Sequence, residues 1–510
     1  MNLIARLAEV SRLYPDQEAI VYHDQRIKYS QLRDQINRLA NGLRNLGIPR
    51  GERVLIALAN CPEFIISYFA LMQIKAVLVP VNPQYTYNEF RTIAKDAAPV
   101  AVITDPAAAP AFFRLREETG LPREIIVIRS AERKDGYSSF EDILAGGGAV
   151  FETPETYGRD EVAEILYTQG SGTGAPKGAM LTHNNLYSNV TTFVKFCGLT
   201  PADRLLLVAP AYHAAAQTCV MNAALVTGAT LVVHDAWKGP EPVLRAIQDE
   251  KITFFYGPPT MYALIINYPG LDRFDTSSWR VAYTGAAPLP PEIFTEFEKK
   301  FGFQITEGYG LTETSPVVCS NPVNGPKKAG SVGPPIPGVE VKIVDYEDRE
   351  VPAGQVGEII VRGPNVMKGY FNREEETNWV MRNGWFHTDD LAYMDGDGYV
   401  FIIDRKKDLI IRGGLNVHPR EVEDVLYTHP KVFDVAVVGV PDPVWGEEIM
   451  AIVLLREGEK MEPQELQEYC RDKLARYKIP RYIHFVDEIP KTSSGKLLKY
   501  ELKHLMETSP

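Results

Sequence analysis

Residues 163–189 read AEILYTQGSGTGAPKGAMLTHNNLYSN. An apolar strand, Ala163 to Tyr167, runs into a polar loop, which is followed by a short strand and a helix capped by Thr182. Gly170, Gly172 and Gly174 let backbone N–H groups approach an anion closely. Thr168, Ser171 and Thr173 add hydroxyls, and Lys177 adds a charge. This is chemistry for a polyphosphate; a hairpin turn is the competing reading, since glycine favours that too. The loop is not a Walker A loop, because Lys177 stands between Pro176 and Gly178 and no Ser or Thr follows it. There is no GxGxxG, so a Rossmann dinucleotide site is unsupported.

Working outward, helices and strands alternate on both sides of this loop. Leu32, Ile36, Leu39, Leu43 and Leu46 fall on one helical face, and Gly47 suits the cap after it. Val54–Leu58, Ala76–Val81, Val100–Thr104 and Ile125–Ile128 read as strands, and the pattern returns from Arg204 to Val233 and from Phe254 to Gly285. That is α/β layering. From about Gly330 the texture changes to short alternating strands between Gly and Pro, which reads as an antiparallel sheet or small barrel. After the charged cluster Asp404-Arg405-Lys406-Lys407-Asp408 comes an α+β segment: helix 419–428, strands 433–440 and 449–455, helix 462–476 and strand 481–487. The expected fold is a large domain over 1–404 of layered α/β subdomains with a β-rich part at about 330–404. A small mobile α+β domain follows over 405–510.

The bulk numbers narrow the function. The 510 residues are 45% hydrophobic and 24% charged, ordinary for a chain with a sizeable core. The net charge of −12 disfavours a nucleic-acid partner, which demands a basic face. Five scattered cysteines with no CxxC pair argue against disulfides and structural zinc and fit a reducing compartment. Met1–Gln17 reads as an ordinary first helix, not a signal peptide. The apolar stretch Phe64–Val81 is broken by Gln73, Lys75 and Pro80 and reads as a buried helix and strand. A cytoplasmic location is expected. Peripheral membrane contact stays open, as does the choice between monomer and homodimer.

Four further motifs stand along the chain. In Glu307-Gly308-Tyr309-Gly310-Leu311-Thr312-Glu313, the Tyr can stack on a base, Thr312 can bond a phosphate and Glu313 can hold Mg²⁺; a structural turn explains the run equally well. In Gly384-Trp385-Phe386-His387-Thr388-Asp389-Asp390, a carboxylate suits a ribose diol, although an acidic turn is the plain alternative. The basic run at 405–407 is by itself an ordinary solvated linker. Pro490-Lys491-Thr492-Ser493-Ser494-Gly495-Lys496 is by itself a surface loop.

Together, and in this order, the five motifs resemble those of the adenylate-forming superfamily of acyl-CoA synthetases, amino-acid adenylation domains and luciferases, over essentially the whole chain. The segments NVMKGYFNREEET, DRKKDLIIRGGLNVHPREVEDVLYTHP and GVPDPVWGE resemble bacterial medium- or long-chain fatty acyl-CoA synthetases. Two departures stand out. The family loop Y-T-S-G-(S/T)-T-G-x-P-K-G here has Gln169 for Ser and one extra glycine, and Asp389 replaces the Gly of the family Thr-Gly-Asp.

The resemblance implies ATP-dependent conversion of a carboxylic acid to acyl-AMP, then transfer to coenzyme A, with Mg²⁺. It places Thr168, Gly170, Ser171, Gly172, Thr173, Gly174 and Lys177 on the phosphates. Tyr309 would stack on the adenine with Gly285 and Ala286 against it, Thr312 would contact the α-phosphate, Asp390 and Arg405 would take the ribose, and Glu307, Gly308 and Ile402 would belong to the same nucleotide site. Thr312, Glu313 and Lys496 would be catalytic, with Glu313 on the metal. Tyr212, His213, Ala214, Gly257, Gly285, Gly310 and Val317 would line the acid pocket. The alanines after His213 would leave it open and apolar, but an alanine-rich buried helix is an equal reading. Gly413, Gly414 and Leu415 would line a pantetheine tunnel, and Lys407 would be the hinge. An acyl-AMP ligase that loads a carrier protein, a ligase for aryl or other acids, and a weakly active ligand-binding relative are the alternatives.

Overall fold

The structure, a computed structural model, describes residues 1–130, 136–151, 157–168, 176–490 and 502, and the side chain of Lys407 lies outside the description. Two eight-stranded sheets dominate. The first runs in the order Gly369–Tyr370, Lys177–Thr182, Val162–Thr168, Val77–Pro80, Arg53–Ala57, Ala101–Thr104, Glu124–Val127 and Ser138–Ser139. The second runs Val317–Ser320, Thr306–Gly310, Val281–Thr284, Phe254–Tyr256, Arg204–Leu207, Thr230–Val233, Glu18–Tyr22 and Gln25–Lys28. Their central strands are parallel.

Period-2 alternation sorts the side chains of these strands into layers. In the first sheet Val54, Ile56 and Leu78 face the large shared core, whereas Leu55, Val79 and Val102 face an outer helical layer with Phe90 and Phe112. In the second, Leu205, Leu207 and Leu231 face the shared core, whereas Leu206, Val232 and Phe255 face an outer layer with Phe297 and Trp279. Helices Tyr29–Asn45, Pro62–Gln73 and His183–Cys197 contribute to the shared core. Thr182 caps the last of these, its hydroxyl accepting from the Asn185 N–H at 3.1 Å.

The β-rich segment is an open antiparallel sheet, Glu340–Val344, Gly357–Arg362, Phe386–Met394 and Val400–Arg405, so the barrel alternative falls away. Beyond it a fourth sheet pairs Leu415–Val417, Ile410–Arg412, Gly446–Leu455 and Val432–Asp442, with Tyr482–Phe485 parallel to Gly446–Leu455. The expected helix 462–476 is shorter, Pro463–Arg471. Leu466, Cys470 and Leu474 all reach the same core, but Ala475 turns extended and breaks the helix after the turn that delivers Leu474. Among the described residues no helix is long and apolar enough to cross a membrane.

Phe297 is fully buried, with the rings of Trp279 and Phe301 at centroid distances of 5.3 and 4.5 Å. Phe297→Ala is expected to destabilise the large domain by about 3–5 kcal/mol through the cavity it leaves. Urea denaturation measures this.

Candidate active site

Parallel α/β sheets place ligands beyond the carboxyl ends of their strands, and the motif residues gather there. Val281–Thr284 ends in Gly285, and its neighbour Thr306–Gly310 carries the Tyr309 motif. The strands lie so close that a Cβ on Gly308 would collide with the Tyr283 hydroxyl, and one on Gly310 with the Pro316 carbonyl beside Val317. These two glycines are therefore required by packing within the protein. Thr284 donates its hydroxyl to the Gly257 carbonyl at 2.8 Å, which ties the neighbouring strand end to this one.

Glu307 was expected at the nucleotide site. Its buried carboxylate accepts the Leu289 N–H at 3.0 Å and so fixes the 285–288 turn, in which Ala286 has φ of 68°. Burial pushes the Glu307 carboxyl up to about 7, against the opposing charge of Arg420.

Tyr309, Asp390 and Arg405 come together. The Tyr309 hydroxyl donates to Asp390 Oδ2 at 2.6 Å, and Arg405 Nε lies 3.2 Å from Asp390 Oδ1. Burial and then the Asp390 charge hold the Tyr309 phenol well above its usual range, so it stays a donor. Asp390 is reached through a bulge: strand Phe386–Met394 steps out of register with Gly357–Arg362. Asp389 sits in it at φ 62°, and its N–H donates to Glu358 Oε1 at 3.1 Å. A left-handed residue explains why the family pattern has Gly here; Asp tolerates that conformation better than most side chains. Ile402 accepts a hydrogen bond at its carbonyl from Arg420, whose own N–H donates to Asp404 Oδ2 at 3.2 Å.

On the phosphate side, Thr168 and Lys177 face each other in register at the ends of two strands. Gly170, Ser171, Gly172, Thr173 and Gly174 lie outside the described residues, as does Lys496. Lys177 Nζ sits 2.8 Å from Glu376 and 5.3 Å above the Tyr370 ring centre. The Tyr370 hydroxyl donates to Glu313 Oε1 at 2.8 Å. Tyr370 thus joins the loop lysine to the carboxylate expected on the metal. Sequence reasoning missed both Tyr370 and Glu376, although Tyr370 lies in the quoted NVMKGYFN run. Thr312 opens the short 3₁₀ turn Thr312–Thr314 that presents Glu313. Among the described residues no group of three or more His, Cys, Asp or Glu could hold a metal ion. A single hard carboxylate beside a phosphate site nonetheless suits Mg²⁺, which is usually shared between one or two carboxylates and substrate phosphates.

The stretch after Tyr212 is a buried helix, Ala214–Ala216, continuing into a π-helical turn, Gln217–Asn222, and helix Ala223–Thr227. The rings of Tyr212 and His213 are 4.8 Å apart, and burial pushes the His213 imidazole down to about 4, so it is neutral. In the C-terminal part Gly413 and Gly414 turn with φ of 58° and 81°, and the Gly413 N–H donates to the Trp445 carbonyl at 2.7 Å. Leu415 and Ile411 stay exposed beside them. Lys407 falls in the turn Lys406–Asp408, where Lys406 Nζ is 3.7 Å from Glu358.

Comparison with known proteins agrees with this arrangement. A profile of the AMP-binding enzyme family matches residues 7–371, and that of the AMP-binding enzyme C-terminal domain matches 421–496. A feruloyl-CoA synthase of Amycolatopsis sp is 38% identical over 97% of this chain and 96% of its own. A long-chain-fatty-acid–CoA ligase of Bacillus subtilis (strain 168) is 34% identical over 97% of this chain and 93% of its own. The crystal structure of ATP-bound MatB from Rhodopseudomonas palustris superposes with a TM-score of 0.92 at 33% identity, covering 100% of this chain and 99% of that one. The chain belongs to the AMP-binding enzyme family, within the adenylate-forming superfamily. Its class is that of the acid–CoA ligases, whose reactants are a small-molecule carboxylic acid, ATP and coenzyme A, with Mg²⁺ as the usual metal.

Glu307 gives a test of the local electrostatics. Its folded pKa of about 7 lies above the usual 4.5, so between those values the folded state binds more protons than the unfolded one and stability falls as pH rises. Glu307→Gln keeps the acceptor for Leu289 without the charge. The variant is expected to be more stable than the parent at pH 8, with the advantage vanishing near pH 4.5, as read by urea denaturation at both pH values.

Proposed function

We propose that this protein is an AMP-forming acid–CoA ligase that acts in two half-reactions at one site. A carboxylate does not condense with a thiol at neutral pH, because its leaving group would be an oxide. In the first half-reaction a carboxylate oxygen of the acid attacks the α-phosphorus of ATP, the bond to the β-phosphate oxygen breaks, and pyrophosphate leaves. In the second, the sulfur of CoA attacks the acyl carbon, AMP departs, and the thiol proton passes to solvent. The observation that carries this reading is the pair of adjoining networks, Tyr309–Asp390–Arg405 and Lys177–Tyr370–Glu313.

Each network has a part. Tyr309 offers a ring face to the adenine, and Asp390 with Arg405 takes the ribose diol. Lys177 and the 168–174 loop hold the phosphates. Bringing a carboxylate to an anionic α-phosphate is repulsive, so donors must already be in place where charge develops. Thr312 and Lys496 supply them, and Glu313, oriented by Tyr370, would hold Mg²⁺, which neutralises phosphate charge when bound. Lys407 is the hinge about which residues 405–510 turn between the half-reactions, so that Gly413, Gly414 and Leu415 line the path of the pantetheine.

The acid has an apolar body. A medium- or long-chain fatty acid is the first reading, supported by the Bacillus ligase. An aryl acid is the second, favoured by the higher identity of the feruloyl-CoA synthase. A panel of aliphatic and aromatic acids assayed for AMP release with CoA decides between them. Replacing CoA by a carrier protein tests the acceptor.

Lys496→Ala is expected to slow adenylation by about 10²–10³, the scale of losing one placed transition-state donor. Thioester formation from supplied acyl-AMP should hardly change. Single-turnover assays of the two half-reactions measure this, and equal losses in both would contradict the role.

A further inference from the structure

A carboxylate repels a polyphosphate, so each acidic group at a phosphate site needs a reason to be there. For Glu313 the metal is a reason. Glu376 has no such role, yet its Oε2 is enclosed, has no aligned hydrogen bond among the described residues, and lies 2.8 Å from Lys177 Nζ. The cation expected on the phosphates thus stands against an anion of its own chain. Burial, and then the charges of Glu313, Glu376 and Asp389, hold the Tyr370 phenol above its usual range. Lys177, above the Tyr370 ring, is therefore a cation with carboxylates gathered around it.

The backbone builds this pairing. Strand Gly369–Tyr370 pairs with Lys177–Thr182, and the Phe371 N–H donates to the Gly178 carbonyl at 2.7 Å. Thr377 then ties the following helix, Glu374–Val380, back onto that strand. Its hydroxyl accepts the Tyr370 N–H at 2.9 Å and donates to the Arg373 carbonyl at 2.7 Å. The approach is close enough that a Cβ on Gly369 would collide with the Thr377 side chain. Glu376 precedes Thr377 and is half-buried beside Lys177, whereas Glu374 and Glu375 in the same turn are exposed.

We propose that Glu376 is an internal competitor for Lys177, weakening the hold of the site on the pyrophosphoryl part of ATP and speeding the departure of pyrophosphate. The proposal rests on the ligase reading above, in which Lys177 takes phosphate oxygens. Thr312 has the α-phosphate there, so the β- and γ-phosphates fall to Lys177 and its loop. A phosphate oxygen that comes to Nζ must draw it from Glu376 or bring its own charge close to that carboxylate, and both weaken binding. The two side chains are 31% and 42% exposed, and ion pairs as exposed as this are worth only a few-fold in an equilibrium constant. That scale suits a competitor, since it loosens the product without shutting out the nucleotide. If Glu376 instead joined Glu313 on Mg²⁺, removing its charge would weaken binding, the opposite sign.

The test uses the full chain and Glu376→Gln, which keeps the size of the side chain and removes its charge. Calorimetric titration with ATP, pyrophosphate and AMP, each with Mg²⁺, reads binding without catalysis. ATP and pyrophosphate are expected to bind about two- to fivefold more tightly than to the parent, and AMP, which lacks the β- and γ-phosphates, equally well. The gain should shrink as salt is raised, because the pair is exposed. Pyrophosphate, as an inhibitor of AMP release, should show a Ki lowered by the same factor. Glu375→Gln removes the same charge from the exposed side of the helix and is expected to leave all three affinities unchanged. Unchanged or weaker binding of ATP and pyrophosphate to Glu376→Gln overturns the proposal, as does an equal gain for AMP or in Glu375→Gln. Lys177→Met separates the proposal from the reading beneath it. If ATP and pyrophosphate bind to that variant as to the parent, the phosphate role of Lys177 falls and the proposal with it. If they bind it more weakly while Glu376→Gln changes nothing, the proposal alone falls.

Discussion

The carboxylate of Asp390 is the charge on which the site is built. It is 4% exposed, held by the Tyr309 hydroxyl on one oxygen and faced by Arg405 on the other. A buried charge is tolerated only when paired and hydrogen-bonded, and removing one partner is far costlier than the pair is favourable. Because Tyr309 comes from the second large sheet while Asp390 and Arg405 come from the four-stranded sheet, satisfying that one carboxylate fixes how the two sheets meet. It also places the ring proposed to stack on the base next to the carboxylate proposed to take the ribose.

The second constraint runs from Lys177 across the Tyr370 ring to Glu313. It ties the first large sheet to the same place, since Gly369–Tyr370 pairs with Lys177–Thr182 at the edge of that sheet. The edge strand is only two residues long, yet it brings a cation and the carboxylate proposed to hold the metal to one aromatic residue. All three sheets of residues 1–405 thus meet where the nucleotide would lie. Residues 405–490 reach the same region through Arg420, which bonds Ile402 and faces Glu307.

Much of this was legible in the sequence, because it follows from local pattern. Alternating apolar runs gave the strands, and Thr182 gave the start of its helix. The order of five short motifs gave the family. What escaped depends on partners distant in the chain or on backbone conformation. Tyr370 meets a residue 57 positions away, and Gln217 meets one 53 positions away, so neither role has a local signature. Asp389 read as an added charge, whereas its left-handed φ shows that the position constrains the backbone first. Gly308 and Gly310 were placed at the nucleotide and acid sites, and the sequence did not show that Tyr283 and Pro316 also demand their lack of a side chain. Glu307 was placed at the nucleotide site by its motif, and nothing local in the sequence shows that its carboxylate braces the turn opposite. The segment after His213 offered two equal readings, a buried helix and an open apolar pocket. The helix is present, and a buried polar cluster stands at its π-helical turn.

The proposed chemistry forms an acyl-adenylate before any thiol takes part. Isotope exchange between pyrophosphate and ATP, measured with an accepted acid and without CoA, tests it most directly. Exchange is expected to depend on both the acid and Mg²⁺ and to need no thiol. Exchange that is absent without CoA, or that proceeds at the same rate without acid, would contradict it.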